Sequence, residues 1–238
     1  MNGLVIHIPL KRHADRVLFE NFSMELKPGE FVCLVGPSGC GKTTLLNMVA
    51  GLDQGHKGAI TFGEGGTPRL GYVFQEPRLL PWCTVAENIR LALPPDIDPH
   101  SIEPLLEQVG LACVMNLYPR QLSLGMSRRV ALVRAFAINP DILLMDEPLV
   151  SLDPPTARKI RELIIALWQN RPHTVLFVTH DLREAIELAD RLIFLSSSPC
   201  RICVDMHIPM SRDERDENRM EAFRKSLRQD YPDLEGIL

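Results

Sequence analysis

The chain has 238 residues, 45% of them apolar, and a formal net charge of −4 at neutral pH. That length is one large domain, or a domain with an inserted lobe, with enough chain to bury a proper core. The acidic excess argues against a nucleic-acid-binding surface, which needs a basic balance, and no apolar run reaches the length of a bilayer span.

Residues 1–16 hold no signal-like apolar core, so a soluble, cytosolic protein is expected, with any membrane role supplied by a partner. Residues 5–8 alternate weakly and read as a first strand. Residues 17–26 alternate again, with Leu18, Phe22 and Leu26 facing inward. Lys27-Pro28-Gly29-Glu30 is a turn. The apolar run Phe31–Val35 then leads into Gly36-Pro37-Ser38-Gly39-Cys40-Gly41-Lys42-Thr43-Thr44, and a helix-like run over 42–50 leads out and stops at Gly51. Strand, glycine loop and helix form the phosphate-binding pattern. Glycines let main-chain N–H groups wrap a phosphate with no Cβ in the way, and the helix N-terminus adds partial positive charge. In that pattern Lys42 reaches the β- and γ-phosphates, Thr43 ligates magnesium and Thr44 adds a bond to the α-phosphate.

Residues 58–62 read as a short strand, glycine and proline crowd 63–68, and a strand resumes over 70–74, ending at Gln75. From there prolines punctuate short helical runs, with helical spacing over 85–93, 102–111 and 126–138. Leu122-Ser123-Leu124-Gly125-Met126 opens the last of these. A Ser hydroxyl and a Gly N–H there make either an ordinary cap or an anion site. Residues 142–145 are a fully apolar strand ending in Asp146-Glu147-Pro148. A helix follows from Pro154-Pro155 to about residue 169, then a buried strand over 175–178 ending at Thr179-His180, a helix over 181–188 and a strand over 191–195. Apolar strands alternating with helices indicate a largely parallel sheet. Residues 202–208 read as an edge strand and 213–229 as a charged helix.

Adjacent carboxylates at the end of a buried strand can divide the work: Asp146 holds magnesium through water and Glu147 polarises the attacking water. His180, at the end of the next strand, is placed to sense the γ-phosphate. Gln75 is placed to contact magnesium and the attacking water. The six cysteines, at 33, 40, 83, 113, 200 and 203, are scattered and read as reduced thiols rather than a disulfide framework. Cys200 and Cys203 form one CxxC near His207 with no fourth ligand, so incidental thiols are expected there rather than a zinc site.

Together these motifs resemble the nucleotide-binding subunit of an ABC transporter over most of the chain. In that resemblance Gly36 to Thr44 is the Walker A loop, Gln75 the Q-loop glutamine, Leu122 to Met126 the signature, Ile142 to Glu147 Walker B, Ser151-Leu152-Asp153 the D-loop and His180 the switch histidine. The segment Gln75-Glu76-Pro77-Arg78-Leu79-Leu80-Pro81-Trp82, with Thr84 to Ile89 and Asp146 to Asp153, is most similar to the nitrate, sulfonate and taurine importer branch. The implied fold is α/β. It is a P-loop NTPase core, with a mainly parallel sheet and an antiparallel β part, into which a helical subdomain is set. Residues 1–75 and 135–198 would form the core, 76–134 the helical signature subdomain and 199–238 a C-terminal extension.

The resemblance implies an ATPase that uses ATP and Mg2+ to power membrane transport, with import of a small anionic solute expected. The alternatives are an exporter or lipid-transport subunit, or a cassette with reduced ATPase. Catalytic roles would fall to Glu147, His180 and Gln75, and magnesium to Thr43, Gln75 and Asp146. Nucleotide would lie on Gly36, Pro37, Ser38, Gly39, Cys40, Gly41, Lys42, Thr43 and Thr44, with Ser123 and Gly125 acting on a partner's nucleotide. The implied partners are a second copy packed head to tail, a transmembrane permease and a periplasmic or lipoprotein solute-binding protein. No nucleic-acid partner is implied. The implied location is peripheral, on the cytoplasmic face of the cell membrane. Leu79, Leu80, Pro81 and Trp82 form an apolar patch that suits permease docking and burial in its own lobe equally. Two positions depart from the family. Leu124 stands where a glycine is usual and Ser127 where a basic residue is usual; in addition, the place of the usual adenine-stacking Tyr or Phe falls near His13, among Arg12, Asp15 and Arg16, so His13 or an arginine would stack on the base instead. Leu124 is expected to slow hydrolysis or weaken the closed dimer, through the loss of glycine's backbone freedom and the bulk of its side chain.

Overall fold

The computed structural model describes residues 3–63, 67–197 and 199–234. Part of the glycine-rich turn expected over 63–68 and the end of the expected C-terminal extension lie outside the described residues. The chain divides into two compact units, Met1–Thr67 with His173–Leu238, and Pro68–Pro172.

In the first unit, three strands form an antiparallel sheet: β1 (Leu4–His13) pairs on one side with β2 (Arg16–Leu26) and on the other with β4 (His56–Phe62). The period-2 pattern of β1 sets the register, with Leu4, Ile6 and Ile8 buried and their neighbours Val5 and His7 exposed. Leu18, Phe22 and Leu26 are buried on β2 as expected. A second sheet contains β3 (Phe31–Val35) between β7 (Thr174–Thr179) and β8 (Arg191–Leu195), both parallel to it, with β9 (Ile202–His207) antiparallel at the edge of β8. Every residue of β3 and β7 is buried, which is why these strands read as continuous apolar runs rather than alternating ones. Their aromatic packing includes Phe31 and Phe177, with ring centroids 6.2 Å apart. The helices of this unit are α1 (Lys42–Val49), α6 (Leu182–Leu188) and α7 (Glu217–Asp230).

Charged groups fasten the edges. Arg191 holds both carboxylate oxygens of Asp205 at 2.6 Å across the β8–β9 pair and also reaches Glu30 at 3.3 Å. The fork geometry of the guanidinium makes such a two-point contact possible.

In the second unit β5 (Leu70–Val73) and β6 (Ile142–Asp146) pair in parallel. Around them lie α2 (Val85–Arg90), α3 (Ile102–Gln108), α4 (Leu124–Ala137) and α5 (Pro154–Asn170). The helix expected over 126–138 begins two residues earlier, because the Ser123 hydroxyl accepts the Met126 N–H at 3.2 Å and caps the first turn. The helix expected over 213–229 begins later, at Glu217. Residues Arg212–Glu214 form a 3-10 turn instead, and Asp216 caps α7 by accepting from the Arg219 N–H. Among the described residues, no helix is long and apolar enough to cross a membrane.

Candidate functional site

In the first unit β3 delivers the glycine loop to the N-terminus of α1. Gly41 occupies the N-cap with φ of 113°, a left-handed geometry that disfavours any residue with a Cβ. A Cβ there would also lie 3.0 Å from the Phe19 ring, and one on Gly36 would meet Leu195 at 3.1 Å. The two glycines therefore let the loop pass close to the Phe19 ring and to Leu195. The Lys42 ammonium lies along this loop, donating to the carbonyls of Gly36 at 2.7 Å and Pro37 at 3.0 Å. Ser38, Gly39 and Thr43 are exposed, Pro37, Gly41 and Thr44 half-buried, and Gly36, Cys40 and Lys42 buried. A glycine-rich loop of backbone N–H groups, a helix N-terminus and a buried lysine fit a polyphosphate.

His180 is exposed at the end of β7. Its neighbours fix its backbone: Thr179 donates its hydroxyl to Glu184 at 2.7 Å and accepts from the Asp181 N–H at 3.0 Å. Asp181 then caps α6. His13 ends β1 at an exposed hairpin whose turn residue Ala14 has positive φ.

In the second unit Gln75 is exposed just beyond β5, and Asp146 is buried as the last residue of β6. Burial and the nearby Asp146 carboxylate push the Tyr72 hydroxyl well above its usual range. Glu147 turns the chain away from the strand with φ of 41°. The oxygen donors expected for magnesium, the Thr43 hydroxyl, the Gln75 amide and the Asp146 carboxylate, are of the hard type that Mg2+ takes.

Ser123 is exposed at the N-cap of α4, and Gly125 lies in the first turn, where a Cβ would approach the Thr156 methyl to 3.2 Å. Leu124 is the first helical residue and is not among the positive-φ residues. Its backbone is helical here, a conformation open to any residue. What remains is an exposed isobutyl group, 48% accessible.

The structure ties α4 to the loops that carry the other expected residues of this unit. Arg128 donates to the carbonyls of Pro148 and Val150, just past Glu147. Arg134 donates to Pro77 at 2.7 Å and Arg78 at 2.9 Å, just past Gln75. Sequence reasoning missed both arginines. For Arg134 the available signal was a charge set into an otherwise apolar stretch of helix, Val130 to Ala137, whereas Arg128 follows Ser127 and precedes Arg129 and carried no such signal. The Leu79–Trp82 patch is resolved in favour of a surface: Trp82 is 72% exposed. Asn88 holds this turn, accepting from the Leu80 N–H and donating to the Leu80, Cys83 and Thr84 carbonyls. Among the described residues no His, Cys, Asp and Glu cluster suits a metal, and of the CxxC pair Cys200 is buried while Cys203 is exposed.

The ABC transporter family model matches residues 19–150. An aliphatic sulfonates import ATP-binding protein of Burkholderia lata is 41% identical over 221 residues, covering 90% of this chain and 81% of that protein. A counterpart of the same description from Bacillus cereus is 39% identical over 220 residues, covering 89% and 88%. Among solved structures, the dimeric post-hydrolysis state of the ATP-binding cassette MJ0796, bound to ADP and Pi, is 28% identical with a TM-score of 0.73. That alignment covers 89% of this chain and all of the other.

Proposed function

The chain belongs to the ABC transporter family as an ATP-binding, ATP-hydrolysing subunit, and from that premise we propose that it drives uptake of a small organic sulfonate through a membrane permease. Relatives described as aliphatic sulfonates importers support the solute class. The single structural observation behind the chemistry is the loop Gly36–Thr44, with Gly41 at a left-handed φ against the Phe19 ring and Lys42 folded along the loop.

The roles follow the motifs. Loop N–H groups and Lys42 would bind the phosphates, the Thr43 hydroxyl would ligate magnesium, and His180 would read the γ-phosphate. Asp146, through water, and Gln75 would hold magnesium, and Glu147 would orient and polarise the attacking water. Bound Mg2+ supplies neutralisation of charge on the β- and γ-phosphate oxygens. Ser123 and Gly125, at the N-terminus of α4, are donors for the nucleotide of a second copy in a head-to-tail dimer. ATP favours the closed dimer and hydrolysis reopens it, a population shift driven by differential binding. The subunit works as a peripheral protein on the cytoplasmic face of the membrane, with a solute-binding protein delivering cargo from the other side.

The test is reconstitution with the permease that copurifies from membranes. Vesicles loaded with ATP are expected to accumulate a labelled short-chain alkanesulfonate, and the Glu147→Gln variant to accumulate none above background. Uptake of nitrate but not sulfonate would overturn the solute class. Wild-type protein that binds but never turns over ATP in the assembled complex would overturn the motor role.

A further inference from the structure

A helix leaves its last carbonyls without intrahelical partners. At the end of α6 those of Ile186, Glu187 and Leu188 are taken by two arginines of the C-terminal extension. Arg215 donates to Ile186 at 2.8 Å and to Glu187 at 3.2 Å, and also to the Met210 carbonyl at 3.2 Å. Arg212 donates to the Leu188 carbonyl twice, from Nε at 3.1 Å and from Nη2 at 3.0 Å. Near the other end of α6, Arg183 reaches Glu217 at 2.6 Å. The turn that presents the two arginines is braced. The Ser211 N–H and hydroxyl both donate to the Glu214 carboxylate, which Arg219 holds at 3.2 Å. The Arg215 N–H donates to the Arg212 carbonyl at 3.2 Å. Residues 211–219 thus form a clip whose prongs are Arg212 and Arg215.

The clip sets α6 against the strand that leads to the glycine loop. Arg212 pairs with Asp190 at 2.8 Å, and the other Asp190 oxygen accepts from the Phe31 N–H at 3.0 Å, at the start of β3. At its opposite end α6 holds both chain neighbours of His180. Glu184 accepts from the Thr179 hydroxyl at 2.7 Å, and Asp181 caps the helix by accepting from the Arg183 N–H at 2.8 Å. The seven residues of α6 span only about 10 Å. So short a helix moves as one piece, and a shift at Leu188 is carried to His180.

We propose that Arg215 and Arg212 are positioning residues for ATP hydrolysis: they hold α6 so that His180 stands at the γ-phosphate, without contacting nucleotide themselves. The proposal rests on the reading of His180 as the γ-phosphate sensor. It gives the C-terminal extension a part in turnover as well as in folding. The chemistry suits arginine, whose donors fan out in one plane and serve the carbonyls of successive residues, as one ammonium does not. A displacement of about 1 Å, caused far from the reacting atoms, can cost about 10²-fold in rate. The bonds of Lys42 to Gly36 and Pro37 do not pass through the clip, so nucleotide affinity is untouched.

The test is a double-mutant cycle on single-turnover ATP hydrolysis by the permease-bound complex, followed long enough to read slow variants. Arg215→Ala is expected to lower the rate by about tenfold, with ATP affinity within about twofold of wild type. His180→Ala alone should lower the rate at least as far. In the double variant the Arg215 loss should vanish, leaving a rate within about twofold of His180→Ala. Arg215→Lys keeps the charge and guards against a folding defect; its rate should lie between wild type and Arg215→Ala, and only while His180 is present. Histidine-selective NMR of the full chain supplies a reading independent of activity. Among the seven histidines, the His180 signal, identified by its absence from His180→Ala, should shift in both Arg215 variants. A loss that persists in the His180→Ala background, a weaker ATP affinity in place of a slower rate, or an unmoved His180 signal overturns the proposal. Arg215 variants at the wild-type rate beside a slow His180→Ala overturn it too, while leaving the sensor reading in place. His180→Ala at the wild-type rate overturns the sensor reading, and the proposal with it.

Discussion

Arg128, in the second turn of α4, donates to the carbonyl oxygen of Pro148, the residue that follows Glu147. The helix that carries Ser123 at its N-cap therefore also fixes the backbone on which Glu147 turns. Arg128→Ala strips the buried Pro148 carbonyl and the neighbouring Val150 carbonyl of their donor. An unpaired buried acceptor costs about 1–3 kcal/mol. A lower melting temperature is expected, together with a fall in kcat for ATP hydrolysis that exceeds any rise in KM. Arg128→Lys should recover only part of the rate, because one ammonium does not reproduce the guanidinium fork. Calorimetry with steady-state kinetics on the three proteins checks both halves.

Glu147→Gln keeps the size and the strand-end turn but removes the carboxylate. A positioned base contributes about 10²–10⁴-fold in rate, so single-turnover hydrolysis should drop by about that factor while ATP affinity stays within a fewfold. A rate within tenfold of wild type would leave Glu147 without the base role.

The glycine loop, the carboxylate pair after β6 and the order of buried strands were legible in the sequence because each depends on local chemistry. Phe31–Val35 and Thr174–Thr179 are apolar throughout, and the structure buries every residue of both. Helix starts were less legible. The α4 boundary depended on whether Ser123 caps, and the α7 boundary on Asp216 competing with Ser211, which closes its own capping box with Glu214. Long-range partners were not legible at all. Nothing near Arg191 in the chain announces Glu30, 161 positions away, to which its guanidinium donates at 3.3 Å. Such pairings are set by the packing of elements distant in sequence.

Leu124→Gly separates helix stability from turnover. In the first turn of α4 a glycine costs up to about 1 kcal/mol relative to a good helix former, so thermal stability should fall. If the exposed Leu124 side chain obstructs the closed dimer, ATPase activity in the presence of the permease should rise severalfold despite that loss. Opposite signs for stability and rate are the expected signature, and an unchanged rate would show that Leu124 is tolerated there.

Asp53 accepts from the Lys11 ammonium at 2.5 Å. That hydrogen bond holds its carboxyl below the usual carboxylate range. A carboxyl depressed on folding stabilises the native state above its unfolded value near 3.8, and the contribution is lost as pH falls through the lower folded value. Asp53→Asn should therefore destabilise the protein at pH 7 by about 0.5–1 kcal/mol after solvent screening. The gap from wild type should narrow as pH falls below 4. Urea denaturation of both proteins across pH 3–7 measures that convergence.

Trp82 and Asn88 divide the patch after Gln75 into contact and support. Trp82 is 72% exposed, which is costly in a monomer and useful at an interface, where a central tryptophan can be worth about 2 kcal/mol or more. Trp82→Ala should weaken capture by the copurifying permease by about 30-fold, leaving nucleotide affinity and melting temperature within error. Asn88 is buried, and its side chain makes four hydrogen bonds to backbone groups of Leu80, Cys83 and Thr84. Asn88→Ala leaves those groups short of partners, so it should weaken permease capture and also lower stability by about 2–3 kcal/mol. The contrast matters more than either value. A contact residue changes binding alone, whereas a supporting residue changes binding and folding together. If Trp82→Ala leaves capture intact, the exposed patch is not the permease-facing surface, however well Asn88 holds it.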